Sequence, residues 1–338
     1  MQLEIPGVRI VDVETCDFGL MPRLDTAALL RAARPTDGAR YLASPVARRF
    51  VAELGVERRY LTHVPGQPAR PGRLTAFDLA QSALRRLAAR RGDELARLDA
   101  LIFVSTSNPN PCNSQAALLA ERHGLRASCF DLKAGCSGGV LGVAQGALLV
   151  RAGCERVLVV MAENLSHLTS PDDIRMLLTV GDGAACVLLE RSRRGGFLRV
   201  LHGTAPEHAG AMMVRTPFPP ATSDAQYAYE MREAGPARDF LQQRWRTLYQ
   251  DSLAGLTGTP HWWFFHQTHG AQVDGLLREQ GLDPSRTVNV VTTHGNMGTP
   301  TFAVAMARAF PHLRPGQRYL LQAVGGGISW CSIVADHS

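Results

Sequence analysis

A short strand-forming run, Ser128–Leu132, breaks at Ala134-Gly135-Cys136-Ser137-Gly138-Gly139 into a helical stretch that reaches Ala152 and stops at Gly153. A strand, a tight glycine-rich turn and a helix in immediate succession belong in an open sheet whose strands feed helices. The neighbouring segments keep that rhythm. Leu101-Ile102-Phe103-Val104, inside Leu98–Thr106, reads as a fully buried strand that ends in the polar loop Ser105–Asn113. Before it, about Thr75 to Arg91, the residues Phe77, Leu79, Ala80, Ala83, Leu84 and Leu87 recur at helical spacing. After it, a helix from about Ser114 to His123 is closed by Gly124. Arg156–Met161 and Ala184–Leu189 are further strands, the second entered through Gly181-Asp182-Gly183. Arg191–Gly196 reads as a connector between halves.

The remainder echoes this pattern. A long helical region covers about Gln226–Leu253, and Trp262–Phe265 is an apolar strand ending at His266-Gln267-Thr268-His269. A helix then carries Val273, Leu276 and Leu277. The strand Val288–Val291 leads to His294-Gly295-Asn296, Thr301–Phe310 is helical, and Tyr319–Val324 runs through Gly325-Gly326-Gly327 into Ile328–Val334. The first 75 residues are mixed, with turns at Pro65-Gly66 and Pro71-Gly72. The expectation is an α/β chain of two βα halves, 1–195 and 196–338, each with a largely parallel sheet.

Composition removes several function classes. A hydrophobic content of 45% supports a sizeable core. The longest apolar run, around Gly138–Val150, is interrupted by Gln145 and glycines and falls short of the ~20 residues a bilayer span needs. Met1–Pro6 has an early acid and no basic stretch, so a soluble cytoplasmic protein with no membrane partner is expected. The net charge is +6, and of 36 basic residues all but Lys133 are Arg. That excess reads as coding bias. The arginines pair on helix faces or connectors (Arg85-Arg86, Arg90-Arg91, Arg193-Arg194) without interleaved aromatics, so no nucleic-acid partner is expected. Seven cysteines without a CxxC pair suggest neither a disulfide framework nor a zinc knuckle.

In open parallel sheets reactive groups collect past the carboxyl ends of strands. Cys136, His266 and Asn296 each stand at such a place. At a helix N-terminus unpaired N–H groups and the positive end of the macrodipole favour a thiolate, so Cys136 reads as a nucleophile rather than a structural cysteine. Lys133, three residues earlier, is a candidate to lower its pKa, or simply a surface lysine. His266 gains weight from Gln267 directly after it, whereas Asn296 in Gly295-Asn296-Met297-Gly298 could equally be a turn residue. The order Cys…His…Asn also suggests a papain-like hydrolase, but the local cysteine signature of that family is absent. The run Gly325-Gly326-Gly327 is either a close strand crossing or a source of backbone N–H for an oxyanion hole shared with Cys136.

Together these motifs resemble the thiolase-fold condensing enzymes of the β-ketoacyl-ACP synthase III group, over roughly Leu54 to Val334. Phe130-Asp131-Leu132…Gly135-Cys136-Ser137-Gly138 is similar to the family's nucleophile elbow, and Gly181-Asp182-Gly183-Ala184-Ala185 to its hairpin. His266-Gln267 and His294-Gly295-Asn296 resemble its "HQ" and "HGN" motifs, and Gly325-Gly326-Gly327-Ile328-Ser329-Trp330 its C-terminal glycine strand. The resemblance implies a thiolase-like five-layered αβαβα fold of two pseudo-repeated halves, assembled as a homodimer. It also implies that Cys136 takes an acyl group from CoA or an acyl carrier protein. His266 and Asn296 would then promote decarboxylation of a malonyl-carrier thioester, and the N–H groups of Cys136 and Gly326 would hold the oxyanion. No metal and no organic cofactor is called for.

The departures from the family are informative. Family members that use short acyl-CoA primers sandwich adenine between Trp and Arg, where this chain has Arg49 and Glu53. After His266-Gln267 the family continues Ala-Asn-x-Arg, where this chain has Thr268-His269-Gly270-Ala271. Gln267 and His269 are therefore expected as substrate contacts. Cys112, at a position where an aromatic often limits acyl length, would leave a wider pocket. These changes point to a specialised pathway. The rival readings are a non-decarboxylating acyltransferase, which often carries an acid in place of Asn296, and a non-catalytic partner subunit.

Overall fold

The computed structural model describes residues 1–68, 72–110, 112–214, 228–231 and 234–338. Pro71 of the expected Pro71-Gly72 turn, and Gln226 and Tyr227 at the start of the expected long helix, lie outside the described residues.

The chain opens with β1 (Gln2–Thr15). A small antiparallel ribbon pairs β2 (Arg23–Asp25) with β3 (Arg58–Tyr60), and between them stand α1 (Thr26–Ala33), α2 (Gly38–Ala43) and α3 (Pro45–Leu54). Thr75 and Asp78 form a capping box at the start of α4 (Ala76–Leu95). Next come β4 (Ala100–Val104), α5 (Gln115–Arg122) capped by Ser114, β5 (Ser128–Leu132), α6 (Gly138–Ala152) and β6 (Arg156–Asn164). The short α7 (Ile174–Thr179) precedes β7 (Asp182–Thr204).

The hairpin β8 (Met212–Val214) and β9 (Tyr229–Met231) follows, then α8 (Ala234–Leu253). The rest comprises β10 (Trp262–Phe265), α9 (Gly270–Glu279), α10 (Val291–His294), α11 (Thr301–Ala309), β11 (Arg318–Gly325) and β12 (Ser329–Asp336).

Hydrogen bonding runs in the order β10-β11-β12-β7-β6-β4-β5, with β1 also on β7. The expected parallel pairing holds for β4 with β5 and β6, and for β10 with β11. It fails around β7, which is antiparallel to β1, β6 and β12, and between β11 and β12. The turn at Gly325–Ile328 leads β11 straight back into β12, and such a return is necessarily antiparallel.

Side chains alternate across the strands and define the layers. Ile102 and Val104 face a central core with α6 and α11, whereas Leu101 and Phe103 face α4 and α5. Phe264 points to the central core, and Trp263 and Phe265 to α8 and α9. The architecture is therefore helix, sheet, helix, sheet, helix: the thiolase-like five-layer fold.

Three segments depart from the sequence reading. Arg191–Gly196 is part of β7, bent where Gly195 and Gly196 take φ of +72° and +146°. Val288–Val291 is not a strand, because side-chain bonds described below capture its backbone and α10 begins at Val291. The region before Ala234 contains the strand β9.

Candidate active site

Cys136 sits in a single 3-10 turn, Gly135–Ser137, between β5 and α6. Ser137 fixes that turn: its Oγ lies 3.0 Å from Ala134 O and 2.6 Å from Ser329 Oγ, Ser329 Oγ lies 3.1 Å from Ala134 O, and the two hydroxyl protons serve two of these three contacts at a time. Gly135 has φ +56°, and a Cβ there would lie 1.7 Å from Gly326 O. A Cβ on Gly325 would lie 2.4 Å from the Cβ of Cys136. Only glycine lets β11 pass this close to the nucleophile turn. Just beyond, Ile328 is held at φ +51°, a strained conformation for a β-branched residue, with its N–H on Gly325 O (3.0 Å). The N–H groups of Gly326 and of Cys136 itself both face the sulfur.

The thiolate expectation is overturned. Burial, and then the charge of Glu163, push the Cys136 thiol up to about 11, against the two N–H groups that favour the anion. The Lys133 tuning idea also fails, since that side chain is exposed and the charge acting on the thiol is that of Glu163.

His266 follows β10, fully buried, with its N–H on Gln322 O (2.9 Å) and its ring stacked 6.5 Å from Trp245. Burial drives it down to about 4 against the opposing effect of the Gly298 backbone, so the imidazole is neutral at pH 7. Its Nδ1 has no hydrogen-bond partner among the described residues. Asn296 is pinned by its backbone, N–H to Thr179 O (2.7 Å) and C=O to Gly181 N–H (2.9 Å). Its Oδ1 accepts the Gly298 N–H (2.9 Å). A backbone N–H needs an acceptor, so the amide oxygen faces Gly298 and the Nδ2 donors face away from it. The Gly298–Thr299 turn thus meets both His266 and Asn296. It also abuts the nucleophile turn, because a Cβ on Gly139 would lie 2.2 Å from Thr299 O. Cys136, His266 and Asn296 are brought together around this turn.

The other expected site residues fare differently. Gln267 is buried, and its amide is committed to backbone: Nε2 to Val288 O (2.8 Å), and Oε1 to the N–H of Val290 (2.9 Å) and Val291 (3.1 Å). It positions the segment leading to Asn296, a correction to its expected role as a substrate contact. His269 is the N-cap of α9, half-buried, with Nδ1 accepting the Gln272 N–H (3.2 Å). Cys112 lies exposed in the loop after β4, its N–H on Asn110 Oδ1 (3.0 Å), away from the buried cluster.

Two residues escaped the sequence reading. Glu163, at the end of β6, is fully buried beside the site. Tyr229 on β9 donates to Thr106 Oγ1 (2.9 Å), and burial raises its hydroxyl above the ordinary range. On the partner strand β8, Met212 packs on Gly326, so this hairpin covers the site. Neither residue carries a local signal: a glutamate closing an apolar strand usually reaches solvent, and Tyr229 stands far from any reactive motif.

Known proteins resemble this chain in sequence and in fold. The 3-oxoacyl-[acyl-carrier-protein (ACP)] synthase III family model matches residues 130–206, and its C-terminal counterpart residues 257–337. β-Ketoacyl-[acyl-carrier-protein] synthase III 3 of Streptomyces coelicolor is 30% identical over 295 residues, covering 82% of this chain and 85% of that protein. The crystal structure of 3-oxoacyl-(acyl carrier protein) synthase III from Pseudomonas aeruginosa superposes with a TM-score of 0.78 at 24% identity, covering 98% of both chains. A 3-oxoacyl-(acyl-carrier protein) synthase from Burkholderia xenovorans gives 0.83 at 22% identity, covering 100% of this chain and 96% of the other. The two structures share the fold.

Proposed function

Because this chain belongs to the β-ketoacyl-[acyl-carrier-protein] synthase III family, we propose that it loads an acyl group on Cys136 and condenses it with a malonyl thioester. The observation that carries the reading is a pair of neutral donors around one turn: an imidazole kept uncharged by burial, and an amide whose oxygen is already occupied. Neutral donors stabilise a developing enolate without a metal or an organic cofactor.

In the first half-reaction the Cys136 sulfur attacks the thioester carbonyl of the acyl donor. The tetrahedral oxyanion sits on the N–H groups of Cys136 and Gly326, and the thiol proton departs with the leaving thiol. In the second, malonyl thioester loses CO2 while His266 and Asn296 donate to its carbonyl oxygen. The resulting carbanion attacks acyl-Cys136, and collapse releases a 3-oxoacyl thioester and the cysteine thiolate, which regains one proton. His269, and Cys112 in the complete assembly, are proposed to line the substrate path. The two halves of the active unit are 1–195, carrying Cys136, and 196–338, carrying His266 and Asn296.

The assembly is proposed to be a homodimer. Among the described residues β5 ends the sheet with an unpaired edge, and Phe130 is 38% exposed on it. Asp131 of that strand bonds Ser114 Oγ (2.8 Å) and the N–H groups of Gln115 (2.8 Å) and Ala116 (3.0 Å), so a second copy on this edge would also cover the loop with Cys112. Sedimentation should give twice the chain mass. The positive surplus of +6 suits an acidic acyl carrier protein, and the Arg49, Glu53 and His269 departures favour a specialised pathway.

The test is intact mass after exposure to a panel of acyl-CoA and acyl-carrier donors. An acyl adduct is expected on the wild type and none on Cys136→Ala, with CO2 released when malonyl-carrier is added. Acyl transfer without CO2 would replace condensation by simple acyl transfer, and no adduct at all would make the chain a non-catalytic subunit.

A further inference from the structure

Glu163 is a carboxylate in the middle of the molecule, and among the described residues none of its partners is a cation. Its Oε1 accepts from the Thr106 N–H (2.9 Å), Thr106 Oγ1 (3.1 Å) and Thr299 Oγ1 (3.1 Å). Its Oε2 accepts from the Ser107 N–H (3.0 Å), Ser107 Oγ (2.5 Å) and Ser105 Oγ (3.3 Å). Burying an unpaired carboxylate costs several kcal/mol even when it is well hydrogen-bonded, so stability alone gives no reason for it. What the group joins is specific. Ser105–Ser107 is the loop after β4 in the first half, and Thr299 belongs to the turn of the second half that meets His266 and Asn296. Gly298 packs directly on it: a Cβ there would lie 3.2 Å from Glu163 Cγ.

We propose that Glu163 is a positioning residue of the active site, clasping the Ser105–Ser107 loop to the Gly298–Thr299 turn so that Asn296 and the nucleophile turn stay in register. Its second effect is electrostatic. The N–H groups of Cys136 and Gly326 meet the Cys136 sulfur, and Glu163 from β6 and the Tyr229 hydroxyl from β9 are the titratable groups that act on it through space; His266, beyond Gly298, is neutral, and Lys133 is exposed. Burial comes first in raising the Cys136 thiol and the Glu163 charge adds to it; burial also raises the Glu163 carboxyl itself against the hydrogen bonds that favour its anion, so the charge acts on the sulfur at the pH values where Glu163 is ionised. The clasping role rests on the condensing reading above; the charge effect does not.

Two substitutions separate reach from charge. Glu163→Gln keeps an oxygen for the two N–H groups and turns its NH2 toward the Thr299 and Thr106 hydroxyls, which can accept. Glu163→Asp keeps the charge but is one methylene too short to span both loops. Alkylation of Cys136 by iodoacetamide is followed by peptide mapping from pH 7 to 10, and CO2 release from malonyl-carrier is measured alongside. In Glu163→Gln the alkylation rate at pH 8 should rise about tenfold, because losing a nearby like charge lowers a thiol pKa by roughly one unit or more. In Glu163→Asp the alkylation profile should follow the wild type while kcat for CO2 release falls about tenfold and acyl loading is kept. Should Glu163→Gln not fold, Thr299→Val serves for the clasp and should lower CO2 release without moving alkylation. An unchanged alkylation profile in folded Glu163→Gln, a Glu163→Asp profile that moves with it, or full CO2 release in Glu163→Asp or Thr299→Val would each overturn the proposal. If the wild type neither loads acyl groups nor releases CO2, the condensing reading fails, and the alkylation profiles still decide the effect of the charge.

Discussion

At the scale of single residues, the decisive arrangement is the amide of Asn296, whose oxygen is held by Gly298 N–H. Replacing it by Asp removes the Nδ2 donor and places a carboxylate where negative charge must develop. We expect Asn296→Asp to acylate Cys136 at close to the wild-type rate and to release CO2 at least 100-fold more slowly, a loss typical of one oxyanion donor. Burst mass measurement and CO2 release read the two steps separately. Cys136, His266 and Asn296 stand out in the sequence because each is a reactive side chain near the end of an apolar run, with glycines beside Cys136 and Asn296 and Gln267 beside His266. Glu163 and Thr299 do not: their significance lies in contacts across 136 positions of chain, which no local spacing encodes. The protonation of Cys136 was misread for a related reason. The helix N-terminus is a local feature, whereas burial and the Glu163 charge arise from tertiary packing and outweigh it.

At the scale of elements, α6 shows what close packing demands. Gly139, Gly142 and Gly146 lie along one face of the helix, and their absent Cβ atoms would sit 2.2 Å from Thr299 O, 2.7 Å from a Val104 methyl and 2.6 Å from a Leu189 methyl. The first neighbour is backbone and cannot move aside; the last is the tip of a flexible side chain. Gly139→Ala should therefore destabilise by about 3 kcal/mol and displace the Thr299 turn with loss of condensation. Gly146→Ala should change stability by less than about 1 kcal/mol, since the gain in helix propensity offsets the crowding. Urea unfolding compares the two. Helices with strong caps, such as α4 and α5, and the buried strands β4 and β10 were readable from period and punctuation. Val288–Val291 has strand composition, yet the Gln267 side chain takes the N–H groups of Val290 and Val291 that a ladder would need. The connector expected at Arg191–Gly196 failed because its polar composition marks an exposed bend of β7, not the end of pairing.

At the scale of the whole molecule, stability follows the state of buried histidines. His294, edge-on to Phe18 at 4.6 Å with Nε2 3.0 Å from Arg308 Nη2, is held down to about 4, first by burial and then by the arginine charge. Its ordinary value is 6.5, so the unfolded chain takes up the proton first. The stabilisation is complete above pH 6.5 and is lost as pH falls toward 4, about 3 kcal/mol for this group. His294→Gln keeps a polar tip for Arg308, and its Tm should fall less steeply than the wild type over that range. The α/β class was legible because alternating βα segments admit few architectures, whereas the five-layer plan was implied by the motif resemblance. The pairing around β7 was not legible, since a strand that crosses both halves leaves no separate signal in either. β1 and β7 also set an order of assembly. Gln2 pairs with Leu201 and Thr15 with Ala185, so β1 cannot complete its ladder until synthesis has passed Leu201. Until then β1 is an open edge, and folding waits on a contact of very long sequence separation.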